Sequence, residues 1–406
     1  LQKDQDLYLF TNKFPYTGGE PFLETEIHYL AAAYRNVLLI TLEQGDKLCM
    51  KLPGNVNIFN FPFSAELSLK STFFKFRKVF FQWYFKELIQ SKFRFKYFSQ
   101  FKWNLFRLAG LVDTAHRLNQ TLPQSNSVYY SYWFNEWGSV LSILTAIRPN
   151  FRFITRVHLY DFEEEFNERG YIPFRTAEIE KPYRIFAISE YAKTYLNRNW
   201  PRVKNKTVLS RLGVRELALT EITENKQNLV IVTCSALSWY KRPLLLVSLI
   251  ANLKSNITWH HFGDGNLKTE FLQAAEKLPQ YITFNFHGHV PNTEVLEFYQ
   301  KNEVHAVLNV SVFEGIPVAL MEAISCGIPV IGCNVCGMPE IITKETGLLL
   351  EKEFNIENAA KSIEEFLKEK SINLNFRLGV QKYFKENYSE SNNYLAFIEQ
   401  LNLASV

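Results

Sequence analysis

Two acidic residues, Glu314 and Glu322, stand eight positions apart in the segment SVFEGIPVALMEAISCGIPVIG. The spacing predicts a loop, a helix, a glycine stop and a buried strand. Glu314 falls in the loop, and Gly315-Ile316-Pro317 leads into the helix, with Pro317 suited to the first helical position. Val318 to Cys326 form the predicted helix, Gly327 its end, and Ile328 to Ile331 a strand of the parallel type. Such a helix begins with free backbone N–H groups and a positive dipole end, a ready site for phosphate. Glu322 lies further along the same helix, where it can accept hydrogen bonds from a ribose diol. Glu314 lies before the start, within reach of a sugar beyond the phosphates. Two carboxylates flanking an anion site suit a ligand with hydroxyls at both ends and a diphosphate between them, which is a sugar nucleotide.

Other residue types with chemical potential stand at turns. Gly18-Gly19 lets the backbone approach a ligand, and Glu20-Pro21 opens a helix. His158 sits at the end of a predicted strand, and Asp161 follows as a further polar candidate. Glu163 to Glu165 read as a solvated helix start favoured by the dipole. Ser189 is placed to cap the helix beginning at Glu190. Cys333 and Cys336 form a CxxC without a second Cys or His cluster, so the motif reads as neither a zinc nor a redox site.

The elements that must position these residues alternate along nearly the whole chain, which predicts an α/β protein with parallel sheets. Strands are predicted at 7–11, 37–41, 56–61, 127–132, 151–157 and 184–188, then at 229–233, 258–262, 282–286, 304–310 and 329–332. The polar stretch near 214–228 reads as a linker between two halves. The second half reads as a doubly wound nucleotide-binding unit, whose ligands bind at the carboxyl ends of the strands.

Glu314, Glu322, Gly327-Ile328-Pro329-Val330 and Pro339-Glu340-Ile341 together resemble the signature of retaining glycosyltransferases of family 4. That resemblance implies the GT-B fold: two Rossmann-like doubly wound domains facing across a cleft, with a C-terminal helix crossing back to the first. The domains expected are an acceptor-binding unit at 1–213, a nucleotide-sugar-binding unit at 214–375, and returning helices at 376–406. By resemblance, Thr17, Gly18, Gly19 and Glu20 touch donor phosphates or acceptor, and His158 contacts the donor sugar. Arg211 is a further candidate to face the cleft. The family pairs an Arg and, five residues on, a Lys with the diphosphate. Here Lys241 matches the Lys, while Ala236 stands in the place of the Arg. Arg242 is the nearest substitute, though one residue on it points elsewhere on a helix. Gly263 and Gly265 resemble the glycine pair near the nucleotide, and His287, Gly288, His289 and Val290 the segment whose backbone reads the base. The phosphates fall to Lys241 and the amides of Gly315, Ile316, Pro317 and Val318, insofar as each has one.

The implied activity is transfer of a hexose-type sugar from a nucleoside-diphosphate sugar to an acceptor hydroxyl with retention, in bacterial surface polysaccharide or lipid-linked glycan assembly. No cofactor and no metal are expected. The rival readings are a sugar-nucleotide epimerase of the same fold and a membrane-associated scaffold without activity.

Composition bounds the rest. A chain of 406 residues with 47% hydrophobic and 21% charged residues is globular and large enough for two or three cores. Five scattered cysteines argue against a disulfide framework and fit a reducing cytoplasm. The stretch 70–107 holds ten Lys/Arg against one acid, Glu87, with fifteen aromatics, so its net charge is +9 in a chain of +4. Such a mixture suits an interfacial helix on anionic lipid better than nucleic acid, the structural alternative being phenylalanines packed inward with the lysines in water. The expected location is cytoplasmic, with a peripheral seat on the inner face of the membrane.

Overall fold

The computed structural model describes residues 3–62, 81, 83, 98–123, 127–167, 170–222 and 227–404. The basic aromatic stretch singled out at 70–107 therefore lies outside the described residues except for Phe81, Trp83 and its end from Phe98. The chain divides into two compact units, Leu1–Ser210 with Tyr394–Val406, and Arg211–Asn393. Phe376 to Asn393, grouped by sequence with the returning helices, belong to the second unit. The reach from Tyr394 onward belongs to the first.

The first unit is built on a seven-stranded sheet of order β3-β2-β1-β4-β5-β6-β7. Its strands are β1 (Lys3–Thr11), β2 (Tyr34–Thr41), β3 (Val56–Asn60), β4 (Ser127–Ser131), β5 (Ile154–Val157), β6 (Arg184–Ala187) and β7 (Thr207–Leu209). All neighbours pair in parallel, with Leu7 opposite both Val37 and Val128. Because side chains alternate along a strand, β1 feeds two cores. Leu7 and Leu9 join Leu23, Ile27 and Leu30 of the Leu23–Ala33 helix. Phe10 joins Trp137, Val140 and Leu144 of the Glu136–Ile147 helix on the other face.

The last helix, Glu390–Ala404, delivers Phe397 into the first of these cores. Its ring meets Phe186 at 4.9 Å and Tyr130 at 5.3 Å and lies 4.2 Å beneath the Arg156 guanidinium. Arg156 is fully buried and paired with the equally buried Glu26. Burial raises the Glu26 carboxyl, and the adjacent Arg156 charge works against that rise. A buried pair of this kind is destabilising to break, since one charge would be left without compensation.

The second unit has a six-stranded parallel sheet of order β10-β9-β8-β11-β12-β13. It comprises β8 (Leu229–Cys234), β9 (Ile257–Phe262), β10 (Ile282–Gly288), β11 (Ala306–Asn309), β12 (Val330–Cys333) and β13 (Gly347–Leu350). The sequence turns in opposite directions from β8, so the reversal falls between β8 and β11. Ligands of doubly wound sheets bind outside the carboxyl ends at such a switch point. The stretch read as a linker is part of this unit's structure. Thr220 is buried, its amide donating to Cys326 O at 2.9 Å and its hydroxyl to Tyr299 O at 2.9 Å.

Candidate functional site

The switch point of the second unit gathers three of the side chains expected to act. β8 ends at Cys234, and the following loop closes into a short 3-10 turn, Trp239–Lys241. β11 ends at Asn309, and its loop carries Ser311 and Glu314. Lys241 Nζ donates to Glu314 Oε1 in a half-buried ion pair. The same oxygen accepts from Asn309 Nδ2 at 3.2 Å and lies 3.0 Å from Ser311 Oγ. Asn309 Oδ1 accepts the Ser311 amide at 2.9 Å, which fixes the loop under Glu314. One carboxylate oxygen is thus crowded with donors, and Oε2 has no partner among the described residues.

After Glu314 the chain enters the Val318–Ser325 helix. Pro317 is its N-cap rather than its first helical residue, with ψ of 121°. The extended backbone lets its carbonyl accept from both Leu320 and Met321, at 3.0 and 3.2 Å. The N–H groups of Val318 and Ala319 have no hydrogen-bond partner among the described residues, so this helix end offers free donors and a positive dipole end. Gly337 is required beside it: a Cβ there would come within 1.8 Å of Gly315 O, and its N–H donates to Glu314 O at 3.1 Å.

Glu322 is buried on this helix, 7% exposed, and accepts from Asn292 Nδ2 at 2.8 Å. Burial pushes its carboxyl up to about 7, with the Asn292 bond working in the opposite direction. Cys234, at the end of β8, feels the charges of both Glu322 and Lys241. Burial, then Glu322, push the Cys234 thiol up to about 12, so it is a neutral side chain.

The glycines named from sequence hold the neighbouring loops against one another. Gly263 has φ +131°, and a Cβ would lie 2.0 Å from Ser235 O. At Gly265 a Cβ would lie 2.5 Å from Leu237 O. Gly263 N donates to Gly288 O at 2.7 Å, and Leu237 N to Asp264 O at 3.0 Å. The loops after β8, β9 and β10 are laced together, and this fixes the Lys241 turn. Past Gly288, His289 is exposed and Val290 half-buried. His287, on β10, is hydrogen-bonded to His260, with 2.9 Å between ring nitrogens.

Several polar candidates are committed to the scaffold. Arg242 adopts a left-handed φ of 51° and caps the next helix. Its guanidinium donates to Val310 O at 2.5 Å, Lys352 O at 3.2 Å and Cys333 Sγ at 3.1 Å. It ties the end of β11 to the end of β12 and to the segment following β13, and does not stand in for the cation absent at Ala236. Arg211 pairs with Glu340 at 3.2 Å and lies over the Tyr388 ring.

In the first unit, His158 follows β5 and starts the Leu159–Phe162 turn. Its N–H donates to Asp161 Oδ2 at 2.8 Å, and the Asp161 N–H donates back to His158 O at 2.9 Å. The imidazole lies 4.1 Å from the Trp133 ring and 5.0 Å from that of Tyr132. Its Nε2 is buried without a partner among the described residues. Burial and then the Arg156 charge push its pKa down to about 3, so the ring is neutral at ordinary pH. Burial pushes Asp161 up to about 7.

Glu20 accepts from the amides of Asn12, Lys13 and Phe14 at 2.5, 3.2 and 2.6 Å and from Trp133 Nε1 at 3.0 Å. Both oxygens are occupied in folding the loop after β1. Gly18 supplies a φ of +76° there, and at Gly19 a Cβ would meet Phe14 N at 2.7 Å. Glu163, read as solvated, is buried and accepts from Tyr191 Oη, whereas Ser189 caps its helix as expected, accepting the Ala192 amide at 3.0 Å.

Sequence reasoning missed Asn292, Asn309, Ser311 and Gly337. Polar residues ending the apolar run of β11 were a signal for Asn309 and Ser311. Asn292 carried none, because its bond to Glu322 is tertiary.

Comparison with known proteins fits this geometry. Residues 215–386, most of the second unit, match the family model described as glycosyl transferases group 1. No curated protein matches the chain in sequence. Among solved structures, a lipopolysaccharide outer core galactosyltransferase, WaaB, is 15% identical, with TM-score 0.70 over 99% of this chain and 100% of the other. HepE from Anabaena, solved with UDP and glucose, is 15% identical, with TM-score 0.66 over 98% and 99%. A sucrose-phosphate synthase from Thermosynechococcus elongatus is 14% identical, with TM-score 0.68 over 98% of each chain. These likenesses give the chain the GT-B fold.

Proposed function

We propose that the protein is a retaining glycosyltransferase that moves a hexose-type sugar from a nucleoside-diphosphate sugar to an acceptor hydroxyl. The observation that carries this reading is the convergence of Lys241, Glu314 and Glu322 with the free Val318 and Ala319 amides at one end of one parallel sheet. Glu322, ionised, accepts the ribose hydroxyls. The amides and Lys241 meet the diphosphate, in a partly buried site where charge-assisted bonds are strong. Glu314 holds the sugar: its Oε1 is anchored and its Oε2 is left to accept a hydroxyl.

That division of labour favours retention without a carboxylate nucleophile. Glu314 is braced by an ammonium, an amide and a hydroxyl, an arrangement suited to holding a carboxylate still. The acceptor oxygen attacks the anomeric carbon on the face from which the diphosphate leaves. The C–O bond to phosphate breaks, its electron pair stays on the departing oxygen, and that oxygen takes the acceptor proton. His158, held neutral, is suited to a hydrogen bond with the sugar and not to proton transfer at neutral pH. No divalent cation is needed where Lys241 and the helix end carry the charge. The acceptor class that fits the fold's similarity to WaaB is a surface polysaccharide or lipid-linked glycan, and the basic aromatic stretch at 70–107 suits docking on anionic lipid.

Titration with UDP, GDP and their hexose conjugates, followed by product analysis with and without a glycan acceptor, tests the reading. Tight binding of a diphosphate and release of it on sugar transfer are expected. Interconversion of donor sugars in the absence of acceptor would instead identify an epimerase.

A further inference from the structure

Trp239 is 64% exposed, more than any other large apolar side chain among the described residues. It is not a stray surface ring. It opens the 3-10 turn that ends at Lys241 and is held by two aromatic neighbours, Phe313 at 5.8 Å and Tyr240 at 5.9 Å between centroids. Tyr240 and Phe313 stack at 5.0 Å, Lys241 Nζ lies 5.3 Å from the Tyr240 ring centroid, and Phe313 directly precedes Glu314. The Tyr240 carbonyl accepts the Val312 amide at 2.8 Å, which joins this turn to the Glu314 loop. Arg242, fixed by its three bonds, pins the far end. An indole kept rigid and left in water beside the charged pair forgoes its own burial and is pre-organised to cover an apolar surface that arrives with a ligand.

We propose that Trp239 is the stacking platform for a pyranose ring of the acceptor. The inference rests on the sugar-transfer reading above. In that reading Lys241 neutralises the leaving diphosphate, and Glu314 holds the donor sugar. Attack on the leaving-group face requires the acceptor hydroxyl to come in beside the diphosphate. Trp239, exposed and packed on the Tyr240 ring that Lys241 lies against, therefore meets the incoming glycan and not the donor hexose. A pyranose presents a C–H face that covers an indole well, while its hydroxyls stay free for polar partners. Trp239 is thus a positioning and specificity residue that touches the acceptor and leaves donor binding to the charged groups.

The test uses the full chain, Trp239→Ala and Trp239→Phe, each saturated with whichever of UDP and GDP the parent binds. Methyl pyranosides of glucose, galactose and mannose serve as probes, since they lack an apolar tail, and saturation-transfer NMR reads contact with their ring protons. The parent is expected to contact at least one of them. Trp239→Ala should weaken that binding at least fivefold, and Trp239→Phe should keep it within twofold. All three proteins should bind the diphosphate equally. No pyranoside contact by the parent, or contact that Trp239→Ala retains in full, overturns the proposal. Failure of the parent to bind either diphosphate is a separate result and sinks the sugar-transfer reading itself.

Discussion

Replacing Glu322 by Gln should make the second unit more stable and less able to hold a nucleotide. In the free protein burial raises the Glu322 carboxyl from 4.5 to about 7. The folded-state value lies above the unfolded one, so this group's contribution is fully present below about pH 4.5 and is lost as pH rises through about 7. At 1.36 kcal/mol per pH unit the cost of ionising it in place amounts to roughly 3 kcal/mol at pH 8. The substituted side chain carries no charge at any pH, and its amide oxygen can still accept from Asn292. The variant should therefore match the parent near pH 4.5 and exceed it at pH 8. At 2–4 °C per kcal/mol for a unit of this size, the gain in Tm is about 6–12 °C. Losing a carboxylate that accepts ribose hydroxyls should cost about 1.5–3 kcal/mol of nucleotide binding, a ten- to hundredfold rise in Kd. Parent affinity should also fall as pH drops below about 7, while that of the variant stays flat. Calorimetric unfolding at pH 5 and 8, with titration of UDP and GDP across the same range, measures both effects. A Tm difference that does not change with pH, or an unaltered diphosphate affinity, would refute the argument.

Glu314→Ala should lower turnover at least a hundredfold while changing diphosphate affinity by less than tenfold, since it removes the sugar contact and frees Lys241 for phosphate; steady-state kinetics beside diphosphate titration checks the split. Phe397→Ala should destabilise the first unit by about 3–5 kcal/mol through the lost burial beneath Arg156, read by denaturant unfolding with nucleotide binding intact. Charge reversal at Lys75, Arg77 and Lys78 should release the protein from anionic vesicles in a flotation assay, and the parent's failure to float would end the membrane reading. Activity should persist in excess chelator, and abolition restored by a divalent ion would show that Lys241 and the helix end do not suffice.

The fold was legible because buried parallel strands read as apolar runs between helical patterns. The strands that escaped are β7, three residues at a sheet edge, and β13, four residues at another. Neither is long enough to show a period. β5 starts three residues later than its apolar run, because Phe151 and Phe153 are spent on the core and pair with no neighbouring strand. In the site, Glu314 and Glu322 stood out because Gly315-Ile316-Pro317 marks the start of the helix between them, and Lys241 because it lies just before Pro243, which opens the next helix. What could not be read is where polar atoms spend their bonds. Arg242 looked one residue away from a phosphate clamp, yet its left-handed backbone turns it into the scaffold. Glu20 looked available, yet three amides and an indole fill it. The Asn292 bond to Glu322 spans 30 residues that share no local pattern.

The most direct test of the central claim is a crystal structure of the protein with a nucleoside-diphosphate hexose bound. The account predicts ribose hydroxyls on Glu322, phosphate oxygens on the Val318 and Ala319 amides and Lys241 Nζ, and a hexose hydroxyl on Glu314 Oε2. A sugar nucleotide bound with its ribose away from Glu322, or its diphosphate away from that helix end, would contradict it.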